Sequence, residues 1–252
     1  PPADAATVPS PVAGEVLETR TVRAPPRPYA EPEDHLVLVD TGGAVARLLH
    51  VDPAVTAGDT VERGDGLGRP VRAGFFAPWV PNHLHLEFRP RDADPYRASG
   101  SLRLSVDVEV RPVAWDGTGT VVEAGETWAR LDRPRHPAPG ETFAGLACRV
   151  GDDRTAVLDG GVPHYDRGGT LGVGEEAGGD PPGGPVRLAG QRVGTADGRD
   201  VRWAHVDVAV EGTTVRGIAC APDRERTGVK LVGREVDLAV GRTVRVDVRA
   251  RE

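Results

Sequence analysis

The chain of 252 residues has no methionine and a single lysine, Lys230, and aromatic residues make up only 4% of it. An interior therefore has to be assembled mainly from Val, Leu and Ala. There is no basic cluster and the formal net charge is −7. That argues against a nucleic-acid partner, because phosphate binding needs concentrated Lys and Arg. The use of arginine in place of lysine reads as G+C-rich codon usage rather than as a binding device, and the mild acidity would also suit a salty environment. No run of about 18 apolar residues occurs, so no transmembrane segment is expected. Cys148 and Cys220 match no metal-ligand spacing on their own; one disulfide and two buried thiols are both open. No signal peptide is in view, and the methionine-free opening "PPADAATVPSP" reads as a trimmed or processed end.

What is abundant is glycine and proline, 33 and 23 residues, together more than a fifth of the chain. This composition favours short strands and turns over long helices. Alternation of polar and apolar residues recurs throughout. "HLVLVD" (35–40) and "AVARLLHV" (44–51) flank a Thr-Gly-Gly turn and read as a hairpin. "SLRLSVDVEV" (101–110), "VRWAHVDVAV" (201–210) and "RTVRVDVRA" (242–250) read as further strands, with valines and leucines on one face. "RAPPRPYAEPE" (23–33) reads as a surface loop, and the ten-glycine stretch 160–185 as a long loop or mobile lid. Gly-Asp/Glu-Thr recurs at 58–60, 125–127 and 140–142 and reads as a turn entering a strand. A boundary is expected near 92–101, separating an N-terminal domain (1–92) from a second β-rich domain (101–252).

The stretch "HLHLEF" (83–88) carries two of the seven histidines. As a strand it would place His83, His85 and Glu87 on one face and Leu84, Leu86 and Phe88 on the other. A solvent-facing strand and a metal or catalytic site both fit that pattern. Glu87 is a candidate for orienting a histidine. His164, Tyr165 and Asp166 stand beside the glycine-rich stretch as a weaker candidate site. Trp203 and His205 would share a strand face, and His136 reads as loop.

The order "PVAGEV" (11–16), "HLVLVDTGGAVARLLHVD" (35–52), "AVTAGDTVERGDGLG" (54–68) and then "NHLHLEF" resembles the lysostaphin-type zinc endopeptidases, which cleave peptide cross-links of bacterial cell walls. The resemblance covers about residues 8–90. It implies an all-β chain, with an N-terminal small β-barrel or sandwich of the lysostaphin-type peptidase kind followed by a second β-sandwich domain of separate role. It implies zinc, with His85 as a metal ligand and His50 and His83 as catalytic groups near the bound water. Asp40 would be the family's structural hairpin aspartate. The implied substrate is a cell-wall or other short peptide rich in Gly or Ala, and the implied location is secreted or in the cell envelope. The chain departs from the family at its upstream H-x-x-x-D zinc motif. "PPADAAT" offers Asp4 but no histidine, and His35 falls after the Gly-x-Val strand, in the wrong place to substitute. The function implied is therefore a zinc metallopeptidase-like protein, degenerate or incomplete as the chain stands. The alternative is a non-catalytic β-sandwich module that recognises a glycan, peptide or partner protein. The same pattern also marks biotinyl and lipoyl carrier domains, but Lys230 lies far from any hairpin that could carry the cofactor.

Overall fold

The computed structural model describes residues 7–105, 107–172 and 183–251. Among these residues there is no helix, as the glycine, proline and β-branched content leads one to expect. The chain divides into two compact units, residues 1–104 and 105–252.

The first unit is two sheets facing each other. Strands β1 (Val8–Pro9), β5 (Val51–Pro53) and β7 (Gly66–Pro70) form a three-stranded sheet in the order β1-β7-β5. Strands β2 (Gly14–Arg23), β3 (Glu33–Asp40), β4 (Val45–Leu49), β6 (Thr60–Val61) and β8 (His85–Arg89) form a five-stranded sheet in the order β6-β2-β3-β4-β8. Both sheets are antiparallel throughout. Their inner faces share one core, with Val8, Val51 and Leu67 from the smaller sheet against Val16, Val37, Val39, Ala46 and Leu48 from the larger. The expected hairpin is present, with Asp40 paired to Val45 across its turn. Asp40 Oδ1 accepts the Gly42 N–H at 2.8 Å, and its carboxylate holds Arg91 at 2.6 Å. Gly14 is required by close approach: a Cβ there would lie 2.0 Å from the Asp40 carbonyl oxygen.

The proline-rich segment is a loop as expected, closing a long hairpin in which Arg23 pairs with Glu33. Residues 93–104 belong to the first unit rather than to a link between domains. The buried Arg89 guanidinium reaches over to donate to the Arg97 carbonyl at 2.9 Å and to Ser101 Oγ at 2.7 Å, and Leu102 N–H donates to Phe88 O. Of the strand expected over 101–110, Val106 lies outside the described residues, and no strand forms among the described residues 101–109. Leu102, Leu104 and Val108 are exposed, and only Val110–Val113 is extended and paired, as β9. Alternation alone is insufficient where no neighbouring sheet offers an apolar face.

The second unit continues with β10 (Thr118–Gly125), β11 (Trp128–Leu131), β12 (Phe143–Val150), β13 (Arg154–Val162), β14 (Arg167–Gly172), β15 (Gly184–Leu188), β16 (Gln191–Asp197) and β17 (Asp200–Trp203). It ends with β18 (Val206–Val210), β19 (Thr213–Val215), β20 (Gly217–Cys220), β21 (Lys230–Val232) and β22 (Thr243–Ala250). Six strands pair in a closed ring, β12-β13-β14-β17-β16-β15 and back to β12. This six-stranded barrel refines the sandwich expected for the unit. From β13 the pairing continues outward through β20, β21, β11, β10, β22, β18 and β19.

Two sequence expectations change here. The glycine-rich stretch is not one loop: β13 runs to Val162 and β14 occupies Arg167–Gly172, while 173–182 falls outside the described residues. The run 201–210 is not one strand. It breaks at Ala204–His205, and the two pieces pair with different neighbours. The three Gly-Asp/Glu-Thr segments do lead directly into β6, β11 and β12.

Leu48 is fully buried between the two sheets of the first unit, whereas Leu102 is 42% exposed. Leu48→Ala is expected to cost about 2–5 kcal/mol of unfolding free energy in urea titration, against roughly 0.5 kcal/mol or less for Leu102→Ala.

Candidate metal centre

The chain passes from the larger sheet to the smaller one at a single residue. β4 ends at Leu49, β5 begins at Val51, and His50 between them has φ 69°. A left-handed backbone is unusual for a residue with a side chain, although His tolerates it better than most. It takes His50 out of the strand alternation. The His50 ring is buried and its Nδ1 lies 2.7 Å from Asp34 Oδ2. Asp34 is itself buried on β3, and its other oxygen accepts the His35 N–H at 2.8 Å.

Opposite stands β8, which begins at His85, so His83 precedes the strand instead of lying in it. His83 reaches the same place from the extended segment before β8. The ring centroids of His83 and His85 lie 5.0 and 6.1 Å from that of His50. One ligand atom from each of the three residues lies within 4.8 Å of the others, the single such group of metal-capable side chains among the described residues. The imidazoles therefore converge at one end of the larger sheet. Leu86 and Phe88 face the core as expected, joined by Leu84.

Each ring is held by one nitrogen. His50 Nδ1 faces the Asp34 carboxylate, His83 Nδ1 the Pro81 carbonyl at 3.0 Å, and His85 Nε2 the Glu87 carboxylate at 3.1 Å. Carbonyls and carboxylates accept, so each ring donates there and keeps the lone pair of its other nitrogen for a ligand. Burial holds the His83 pKa below its usual value, with the nearby His50, His85 and Arg72 adding to the effect against the Pro81 carbonyl. Glu87 is shared: its second oxygen accepts from Arg47 and, at 3.1 Å, from Arg89. Arg47 and Glu87 are direct cross-strand partners between β4 and β8, and both arginines are buried.

An aromatic wall closes one side. Phe76 sits edge-on to His50 and His83, with centroids 5.2 and 4.8 Å away. Arg72 lies over the Phe76 and Tyr29 rings and donates to the carbonyls of Ala77, Pro78 and Val80. Tyr29, from the proline-rich loop, donates to the Phe76 carbonyl at 3.1 Å. The loop thus braces the segment that forms the wall.

The other sequence candidates lie elsewhere. His35 contacts Thr21 Oγ1 at 3.1 Å and Asp52 at 3.7 Å. His136 Nε2 faces the Asp223 carbonyl at 3.1 Å, in a loop. Both cysteines are buried free thiols, and burial raises both pKa values, that of Cys148 to about 12. His164, Tyr165 and Asp166 do meet Trp203 and His205, around one pocket of the second unit. Sequence reasoning missed Asp34, Arg47, Arg89, Arg72 and Phe76. A signal was available for two of them: Asp34 interrupts the entry to an apolar strand, and Arg47 interrupts "AVARLL".

The fold and this cluster define a two-unit all-β protein whose first unit carries a three-histidine site. Residues 2–106 match the family described as Domain of unknown function (DUF8155) N-terminal domain, and residues 111–249 match its C-terminal domain. The chain belongs to that family. No curated protein and no solved structure is similar to it.

Burial lowers the His164 pKa from 6.5 to about 4. Between these values the unfolded chain binds more protons than the folded one. Stability contributed by the neutral ring is therefore complete above about pH 6.5 and is lost as pH falls toward 4. Thermal melts across this range should show that fall, and His164→Asn should flatten it.

Proposed function

We propose that the first unit is a metal-dependent, peptidase-like hydrolytic domain in which His50, His83 and His85 together hold one divalent transition ion, with zinc the leading candidate. The observation that carries this reading is the pairing of every ring: one nitrogen committed to a protein oxygen, the other left with its lone pair. Metal-binding histidines are held in that way by carboxylates and carbonyls behind them. Three neutral imidazoles suit zinc and also copper, nickel or iron. Ligands at about 2.0–2.1 Å around one zinc ion stand roughly 3.4 Å apart, so loading would draw the three atoms inward from the 4.8 Å limit.

This ligand set differs from the one the lysostaphin resemblance implies, where His85 alone of the three would bind metal and His50 and His83 would assist. It draws all three protein ligands from residues 50–85. A bound ion would supply Lewis acidity and a water acidified toward neutral pH. The chain's own groups do the rest. Asp34 keeps the His50 ring in one tautomer, Glu87 does so for His85, and Phe76 limits water on one side. A short peptide of cell-wall type remains the proposed substrate, and the cell envelope or exterior the proposed location. A second reading, a metal-holding module without catalysis, rests on the same convergence of His50, His83 and His85.

Metal content by mass spectrometry, on protein purified without chelator, tests the proposal. About one ion per chain is expected in the wild type, with loss in His85→Ala and in His50→Ala. Asp34→Asn should weaken metal affinity about 10–100-fold. If His50→Ala keeps its metal but loses cleavage of glycine-rich peptides, the family's division of roles holds instead. No metal in the wild type sinks both versions, and metal without cleavage leaves the binding module.

A further inference from the structure

A pocket of about 560 Å³ opens in the second unit where the β13–β14 turn meets the break between β17 and β18. It is lined by rings from both places: His164 and Tyr165 from the turn, Trp203 and His205 from the break. Strand glycines make room for two of these rings. A Cβ at Gly161 on β13 would lie 2.1 Å from His164 Cε1; one at Gly217 on β20 would meet the Val162 carbonyl oxygen first, at 2.4 Å, and His164 Nδ1 at 2.7 Å. A Cβ at Gly168 on β14 would lie 2.0 Å from Trp203 Cζ2. Glycine weakens a strand interior, and its presence there often marks a place where something must approach closely. Here β13 and β14 accept that cost for one aromatic cluster.

The cluster presents a platform. The Tyr165 ring is 42% exposed and rests on His164, with centroids 4.4 Å apart. Polar groups surround it. Asp166 and Glu235 offer carboxylates and Arg216 a guanidinium, while the Asp207 carboxylate is taken by Arg251, whose Nε donates at 3.0 Å. With that pair cancelled, two carboxylates face one guanidinium, which disfavours an anion. A larger pocket of about 690 Å³ lies elsewhere in the unit, but its one aromatic, Trp115, is buried with its indole N–H donating to the Thr118 carbonyl. It offers no exposed ring.

We propose that the pocket around Tyr165 and Trp203 is a binding site for an uncharged saccharide. The C–H face of a pyranose packs on an aromatic plane. Its hydroxyls donate to Asp166 and Glu235 and accept from Arg216, giving charge-assisted hydrogen bonds that fix orientation. A carboxylate or phosphate ligand would meet the surplus negative charge. The inference is independent of the metal reading, because every residue it uses lies in the other unit.

The test is isothermal titration of the full chain with maltose, cellobiose, lactose and N,N′-diacetylchitobiose, with citrate as the anionic control. At least one disaccharide should bind with Kd between about 0.1 and 10 mM, more tightly than citrate. Tyr165→Ala should weaken that binding tenfold or more with the melting temperature unchanged, since the ring is at the surface. Tyr165→Phe keeps the platform and should stay close to the wild type. The proposal is overturned by no binding of any disaccharide, by binding that Tyr165→Ala leaves intact, or by citrate binding more tightly than all four.

Discussion

The buried contact between Asp34 and His50 is the constraint on which the first unit turns. Of the crossings between the two sheets, the one from β4 to β5 is made through a single residue held at a positive φ. The Asp34 side chain is only 2% exposed. A carboxylate in that position needs partners, because removing one side of a buried polar pair leaves the full desolvation cost of the other. The His50 ring supplies one partner and the His35 N–H the second. The same contact that makes the crossing tolerable also sets which His50 nitrogen is left for a ligand. Architecture and candidate chemistry are thus joined in one hydrogen bond.

A similar logic runs along β8. Glu87 lies between Arg47, its partner on β4, and Arg89 two residues on, and it also accepts from His85. Burying two guanidiniums is made tolerable by the Glu87 carboxylate, which meets both, and by the Arg97 carbonyl and Ser101 hydroxyl, which meet Arg89. The 97–101 segment is no free linker, since Arg97 and Ser101 accept from the Arg89 guanidinium. The outer face of the sheet thus combines these charges with a smaller apolar cluster of Leu36, Leu38, Val45 and Leu49, and the larger apolar core lies on the inner face.

The second unit solves a different problem. Closing six strands into a ring removes the exposed edges that an open sheet presents. The ring interrupts what the sequence shows as continuous: one alternating run becomes β17 and β18, paired to separate neighbours. The break turns Trp203 and His205 toward the β13–β14 turn. A weak candidate site and a Trp-His pair about 40 residues further along the sequence become one pocket.

Much of this was legible beforehand. Alternating valines and leucines, turn residues and the lack of helical periodicity determined an all-β chain. They placed the β3–β4 hairpin, the inward face of β22 and the inward side of β8. The H-x-H spacing marked His83 and His85, and the resemblance to the lysostaphin-type peptidases added His50. Only the tertiary structure decided that His83 lies outside the strand, that a left-handed His50 reaches it, and that Asp34, Glu87 and Phe76 complete the surroundings. It also decided where the first unit ends and that the second closes on itself. The reason is physical. Alternation is a local property, set by the side-chain period of a strand and readable over a few residues. Pairing between distant strands, a charge's need for a buried partner and the room a ring requires over a glycine depend on groups that meet only when the chain has folded.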